Sequence, residues 1–205
     1  MYSRKLGDRI LSFGHEGVLF KRSFIMYDKE TESLWLHTTG QAVKGKLKGS
    51  QLEFVPSQVM PWAAWRALHP DTKVLTGRRS NGFMGKYVLR ERRKEFGWSL
   101  GQGNATKLYP YAALAKVLFI EDTFGGEKVV IHLDRKTLSV TAFKRGKLSF
   151  VVKDGVIKDK QGRTWDLVRG TSGDAKLESI AVTSWLVKRW RGFYPKGEVY
   201  GAARR

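Results

Sequence analysis

Residues 52–75, LEFVPSQVMPWAAWRALHPDTKVL, and residues 177–200, LESIAVTSWLVKRWRGFYPKGEVY, are two versions of one pattern. Aligned without a gap, Leu52-Glu53 meets Leu177-Glu178, Trp65-Arg66 meets Trp190-Arg191, Pro70 meets Pro195 and Val74 meets Val199. Each copy reads as a short strand, a Trp-bearing helix, a ring (His69 or Tyr194) ahead of a proline, and another short strand. The likeness continues upstream with small gaps. Leu11-Ser12-Phe13 corresponds to Leu148-Ser149-Phe150, Asp28-Lys29…Trp35 to Asp159-Lys160…Trp165, and Tyr2-Ser3-Arg4 to Phe143-Lys144-Arg145. Self-similarity of this kind marks a duplicated unit, each copy burying an apolar face against its neighbour.

The second copy has a front portion that the first lacks. Residues 107–143 read as a strand entering Tyr109-Pro110, a short helix (Tyr111–Ala115), and strands over Lys116–Glu121, Lys128–Leu133 and Leu138–Phe143. Gly125-Gly126 supplies the positive φ of a tight hairpin turn. The counterpart in the first copy would lie before Met1, so the chain is expected either to be a fragment of a longer product or to have lost that half-unit. Elsewhere, Arg9–Phe13, Ser23–Tyr27 and Ser33–His37 have strand length and patterning. Pro61 suits the first position of a helix over Trp62–Leu68. Thr183 or Ser184 suits the cap of a helix over Trp185–Arg191. The expected fold is α+β, dominated by mostly antiparallel strands, with a short Trp-bearing helix in each repeat. The expected organisation is a first repeat over 1–77, a basic connector over 78–106 with one strand around Phe96–Leu100, and a complete second repeat over 107–205. Open strand edges around Ile10–Phe13 would need the connector, the other repeat or a partner chain to cover them.

Composition narrows the chemistry. The chain has no cysteine, which excludes disulfides, thiolate metal sites and thiol catalysis. No apolar run follows the basic residues of the first thirteen, so no signal peptide is read there, and no stretch is long enough to span a bilayer as a helix. The net charge of +19 is the outstanding bulk property. It spreads along the chain, but residues 78–100 concentrate 7 basic against 2 acidic groups. A field of that sign attracts polyanions such as nucleic acid. Arg78, Arg79, Arg90, Arg92, Arg93 and Lys94 in the connector, with Lys188, Arg189 and Arg191 in the C-terminal helix, are the candidate polyanion contacts. Trp98, next to that connector, is the candidate stacking residue. A solvated linker has the same composition.

Motifs for catalysis are lacking. The four histidines, His15, His37, His69 and His132, have no zinc-ligand spacing. Ser33 and Thr164 lie in no nucleophile signature. Gly101-Gln102-Gly103-Asn104 lacks the third glycine of a dinucleotide loop and reads as a turn. His15, in a glycine-rich junction, with Asp28 and Ser33, forms the candidate ligand-binding set. Asp28 and Asp159, equivalent in the repeat, also suit turn capping. Trp35, Trp65, Trp165 and Trp190 recur at equivalent positions and read as core. Trp62 and Trp185 fall near the same helix start out of register. No metal or cofactor is expected.

The run Phe13-Gly14-His15-Glu16-Gly17, then Met26-Tyr27-Asp28…Thr31…Ser33-Leu34-Trp35…Thr39-Gly40, then Trp62…Trp65-Arg66…His69-Pro70-Asp71-Thr72…Val74-Leu75, resembles the family catalogued as domain of unknown function 3179. Tyr109-Pro110, Asp122-Thr123…Gly125-Gly126 and Trp165 extend the resemblance over nearly the whole chain. Members of that family are bacterial and archaeal, often look exported and have no established activity. They commonly carry a Cys-Pro-x-Cys hairpin upstream of the segment matching Met1, and His132–Thr137 in the second repeat holds no cysteine, so no redox or metal role carries over. The reading is a non-enzymatic, β-rich binding or structural module. A polyanion binder using the connector is one alternative, and an enzyme or redox-related module with a cleft near His15 and Asp28 is another.

Overall fold

The computed structural model describes residues 1–74, 92–102 and 105–202. Arg78, Arg79, Arg90, Gly103 and Asn104, singled out in the sequence, lie outside the described residues.

The first repeat opens with a small ladder of β1 (Lys5–Leu6) and β2 (Arg9–Ile10). A four-stranded antiparallel meander follows, made of β3 (Phe13–Phe20), β4 (Ser23–Asp28), β5 (Leu34–Leu36) and β6 (Gln41–Lys44). The strand expected over Arg9–Phe13 is broken. Leu11 turns fully into the core, and its amide bonds to the Arg4 carbonyl at 2.9 Å, so pairing stops after Ile10. Helix α1 covers Trp62–Leu68 with Pro61 as its N-cap. Ile10, at the expected open edge, is 65 % exposed.

The second part holds β7 (Phe96–Gln102), β8 (Ala105–Pro110), α2 (Tyr111–Leu114), β9 (Phe119–Phe124), β10 (Glu127–Leu133) and β11 (Val140–Lys144). After these come β12 (Phe150–Lys153), β13 (Val156–Asp159), β14 (Thr171–Ser172), β15 (Ala175–Lys176), β16 (Glu178–Ile180), β17 (Val182–Leu186), α3 (Val187–Phe193) and β18 (Glu198–Val199). Two four-stranded sheets result, in the orders β16-β11-β10-β9 and β17-β7-β8-β18. All pairs are antiparallel except β8 with β18. Their shared core packs Leu100, Tyr109, Leu114, Ile131, Leu133 and Val140. The fold is β-dominated and mostly antiparallel, with a few short helices, as the sequence pattern implies.

Two expectations are corrected here. Thr183 and Ser184 do not cap a helix. They lie in β17, opposite Ser99 and Trp98 of β7, and α3 begins only at Val187 with no side-chain cap. Trp98 is no exposed stacking residue; at 5 % exposure it is packed in the core cluster that includes Tyr109, Val140 and Val182.

The duplication is visible atom by atom. Trp35 and Trp165 donate their indole N–H to Asp28 and Asp159 at 2.8 and 3.0 Å. Phe13 and Phe150 meet those indoles edge-on, with ring centroids 5.7 and 5.8 Å apart. Gly40 (φ +69°) and Gly170 (φ +71°) press against the Tyr2 and Phe143 rings, where a Cβ would collide. Their carbonyls accept from the Leu52 and Leu177 amides at 2.9 and 2.8 Å. At the β3–β4 turn the copies differ. Lys21 (φ 49°) and Arg22 (φ 64°) occupy the left-handed region that Asp154 and Gly155 occupy in the β12–β13 turn. Lys21 Nζ crosses to the second repeat and donates to the Gly192 carbonyl at 2.6 Å.

Candidate functional site

His15, Asp28 and Ser33 all belong to the first meander, but its register separates their roles. His15 stands opposite Met26 and Asp28 opposite Phe13. Asp28 is closed to solvent and its oxygens are used locally. They accept from the Thr31 amide (2.6 Å), the Thr31 hydroxyl (2.8 Å) and Trp35 Nε1 (2.8 Å). Burial pushes this carboxyl up, but the bonds from Trp35, Thr31 and Ser33 outweigh it and hold it below the usual carboxylate range. Ser33 is equally buried, its Oγ accepting from the Leu47 amide at 3.0 Å and lying 2.7 Å from the Thr31 hydroxyl. Together these groups lock the β4–β5 turn. His15 is exposed and leans on Phe24 (5.2 Å between centroids), which stacks on His37 at 3.8 Å and 5°. The Phe24 carbonyl can only accept, so His37 Nδ1 is the donor in their 3.0 Å contact.

The described cations of the polyanion set fall into one neighbourhood. Arg92 grips Glu95 with two bonds of 2.8 and 2.7 Å, and Lys188 lies 4.0 Å from the same carboxylate. The turn holding Arg93 and Lys94 is thereby brought to α3, on which Lys188 and Arg189 are exposed. Arg191 lies over the Trp190 ring at 5.9 Å and donates to the Gly197 carbonyl at 3.3 Å.

A feature that sequence reasoning missed is a groove between the repeats. One end, of about 310 Å³, is lined by Tyr2, His37, Thr38 and Phe54 from the first repeat and by Thr183, Ser184 and Trp185 from β17. It continues past Ser57, Gln58, Val59 and Trp98 into a second space of about 350 Å³. Three buried polar atoms of these lining residues, Thr38 Oγ1, Gln58 Oε1 and Trp185 Nε1, have no hydrogen-bond partner among the described residues. Native interiors rarely leave such groups unpaired. Among the described residues no Asp or Glu lines either space, so none of them offers His37 a carboxylate for an acid–base pair there. The one sequence signal for this groove was Trp185, the tryptophan out of register with its counterpart Trp62. Among the described residues no cluster of three or more His, Asp or Glu side chains could hold a metal, and no helix is long and apolar enough to cross a membrane.

The meander with its Asp28–Trp35 lock, the glycine against Tyr2 and the Trp-bearing α1 all fall within the N-terminal part of the chain. Residues 1–90 match the family model of a protein of unknown function, DUF3179. The match stops there, where the motifs alone carried the resemblance over nearly the whole chain. The Asp159–Trp165 lock and the Gly170–Phe143 contact tie the later residues to the matched ones through the internal repeat. No curated protein and no solved structure matches the chain.

Proposed function

We propose that this protein is a non-enzymatic binding module whose ligand site is the groove between its repeats. The observation that carries this reading is the set of unpartnered buried atoms, Thr38 Oγ1, Gln58 Oε1 and Trp185 Nε1, on walls that combine apolar and aromatic side chains with His37, Ser57, Thr183 and Ser184. Largely apolar walls with a few polar groups are the usual make-up of a small-ligand site, and a ligand whose entry shifts these solvent-closed side chains would offer an acceptor to the indole and a donor to the amide oxygen. The chemistry indicated is an uncharged aromatic or aliphatic amide. Titrating ¹⁵N-labelled protein with benzamide tests this. The indole N–H resonance of Trp185, assigned through Trp185→Phe, should move saturably, and Ser184→Trp should abolish the movement by filling the groove. An unmoved Trp185 resonance, or one indifferent to the plug, refutes the reading.

A second reading rests on the meeting of Arg92 and Lys188 at Glu95, with Lys94 and Arg189 next in sequence to these residues. Cations drawn from two distant parts of the chain make a surface for polyanions. The double variant Lys188→Gln/Arg189→Gln should elute from heparin at lower salt than the parent, and equal elution excludes α3 as a contact.

A further inference from the structure

Three successive large apolar residues stand in water at the tip of the β3–β4 hairpin. Val18, Leu19 and Phe20 are 51, 71 and 45 % exposed. Single apolar residues on a surface need no explanation, but a contiguous group on a projecting tip does. Pairing skips from His15 with Met26 to Leu19 with Phe24, so Glu16, Gly17 and Val18 bulge out of the ladder. In the second repeat, where β8–β11 precede the matching β12–β13 hairpin, Val151 and Val152 are exposed as well, so strands of that kind do not cover it. The first hairpin is also the longer, and its added length carries the apolar tip. Cations gather beside that tip. Lys21 and Arg22 form its turn, and no carboxylate of the described residues pairs with either. Lys21 Nζ lies 5.5 Å from the Phe20 ring and 5.8 Å from that of Phe193, and its bond to the Gly192 carbonyl seats the tip against α3. Lys188 and Arg189, both exposed, precede Gly192 by four and three residues and so share its side of the helix. Of the acidic groups in these segments, Glu16 lies in the bulge and Glu95 is already held by Arg92. Residues 75–91 add four basic groups against one acidic.

We propose that the β3–β4 tip inserts into the surface of an anionic lipid bilayer. Val18, Leu19 and Phe20 enter the boundary between headgroups and acyl chains, and Lys21, Arg22, Lys188 and Arg189 meet the lipid phosphates. A projecting apolar element beside cations is the combination that holds a protein on such a surface, apolar burial and charge attraction adding together. Charge complementarity selects this occupant over a second copy of the chain, which would bring two cationic surfaces together. The proposal shares Lys188 and Arg189 with the polyanion reading, but its apolar part lets the two fail separately.

Co-sedimentation of the full chain with vesicles tests it. Vesicles of mixed phosphatidylcholine and phosphatidylglycerol should carry the protein down, and vesicles of phosphatidylcholine alone should leave it in solution. Val18→Ser/Leu19→Gln changes only exposed side chains and should weaken the binding about tenfold or more, the scale of withdrawing a leucine from an apolar phase. The same variant should elute from heparin at the parent's salt concentration, which separates insertion from attraction to polyanions. Lys188→Gln/Arg189→Gln should weaken vesicle binding by about fivefold per charge removed. Because the chain has no cysteine, Leu19→Cys takes a single environment-sensitive fluorophore. Its emission should shift to the blue when anionic vesicles are added. No binding to anionic vesicles, binding unmoved by Val18→Ser/Leu19→Gln, or an unshifted label overturns the proposal. A blue shift that grows with protein concentration in the absence of lipid assigns the tip to a second copy instead and overturns it too. The groove reading is followed separately at Trp185.

Discussion

Trp35 Nε1 points at Asp28 Oδ2 across 2.8 Å in a place closed to water, and the second repeat reproduces the pair as Trp165 and Asp159. Asp28→Ala removes the acceptor of three bonds and leaves the indole and the Thr31 amide unpaired. It should lower stability by about 2–4 kcal/mol, read by urea denaturation. Asp28→Asn keeps the shape and one acceptor oxygen and should cost less.

The same pairs set the acid side of the stability curve. Both carboxyls are held below their ordinary value of 3.8, Asp28 by Trp35 and Thr31 and Asp159 by Trp165 and Arg163, in each case against the upward push of burial. Their contribution is fully present above that value and is lost as pH falls through the lowered folded-state values. Thermal melts should show steep destabilisation below pH 3.8, shallower in Asp28→Asn.

His132 acts at higher pH. Burial lowers its pKa from the ordinary 6.5 more than the Leu118 carbonyl, Asp134 and Asp166 raise it. The unfolded chain therefore takes up a proton before the folded one does. Stability should be complete above pH 6.5 and decline below it, and His132→Gln should flatten that part of the profile.

Gly170→Ala and Gly40→Ala compare one backbone position in two settings. Both residues hold positive φ, and an added Cβ would strike Phe143 or Tyr2. Phe143 is 2 % exposed and cannot swing away, whereas Tyr2 is only half-buried. Gly170→Ala should cost about 2–4 kcal/mol and Gly40→Ala about 1–3 kcal/mol, since left-handed strain is common to both and overpacking is worse in the core.

The repeat was readable because its signature residues are large, rare and locked. Trp35, Trp165, Asp28 and Asp159 keep their identity because each needs the other. What escaped the sequence depends on partners far along the chain. Thr183 and Ser184 look like helix caps until β7, more than eighty positions earlier, claims them as a strand. Trp98 sits between Gly97 and Ser99, all three buried, so β7 shows none of the alternation that marks a strand with one wet face. The groove was hidden for the same reason, since Thr38 and Trp185 meet only through tertiary packing. His15, Asp28 and Ser33 share one meander, yet its geometry spends Asp28 and Ser33 on holding a turn.

The turn of Lys21 and Arg22 bears on how the molecule comes apart. Two adjacent non-glycine residues at positive φ cost about 1 kcal/mol or more each, and the equivalent Asp154-Gly155 turn largely avoids this. The compensating bond, from Lys21 Nζ to the Gly192 carbonyl, exists only while the halves are docked. Separation would leave the strain and remove its offset, so the halves share a single melting event rather than two. Calorimetry should record one transition, and Lys21→Gly, which relieves the turn while severing the tether, should begin to divide it.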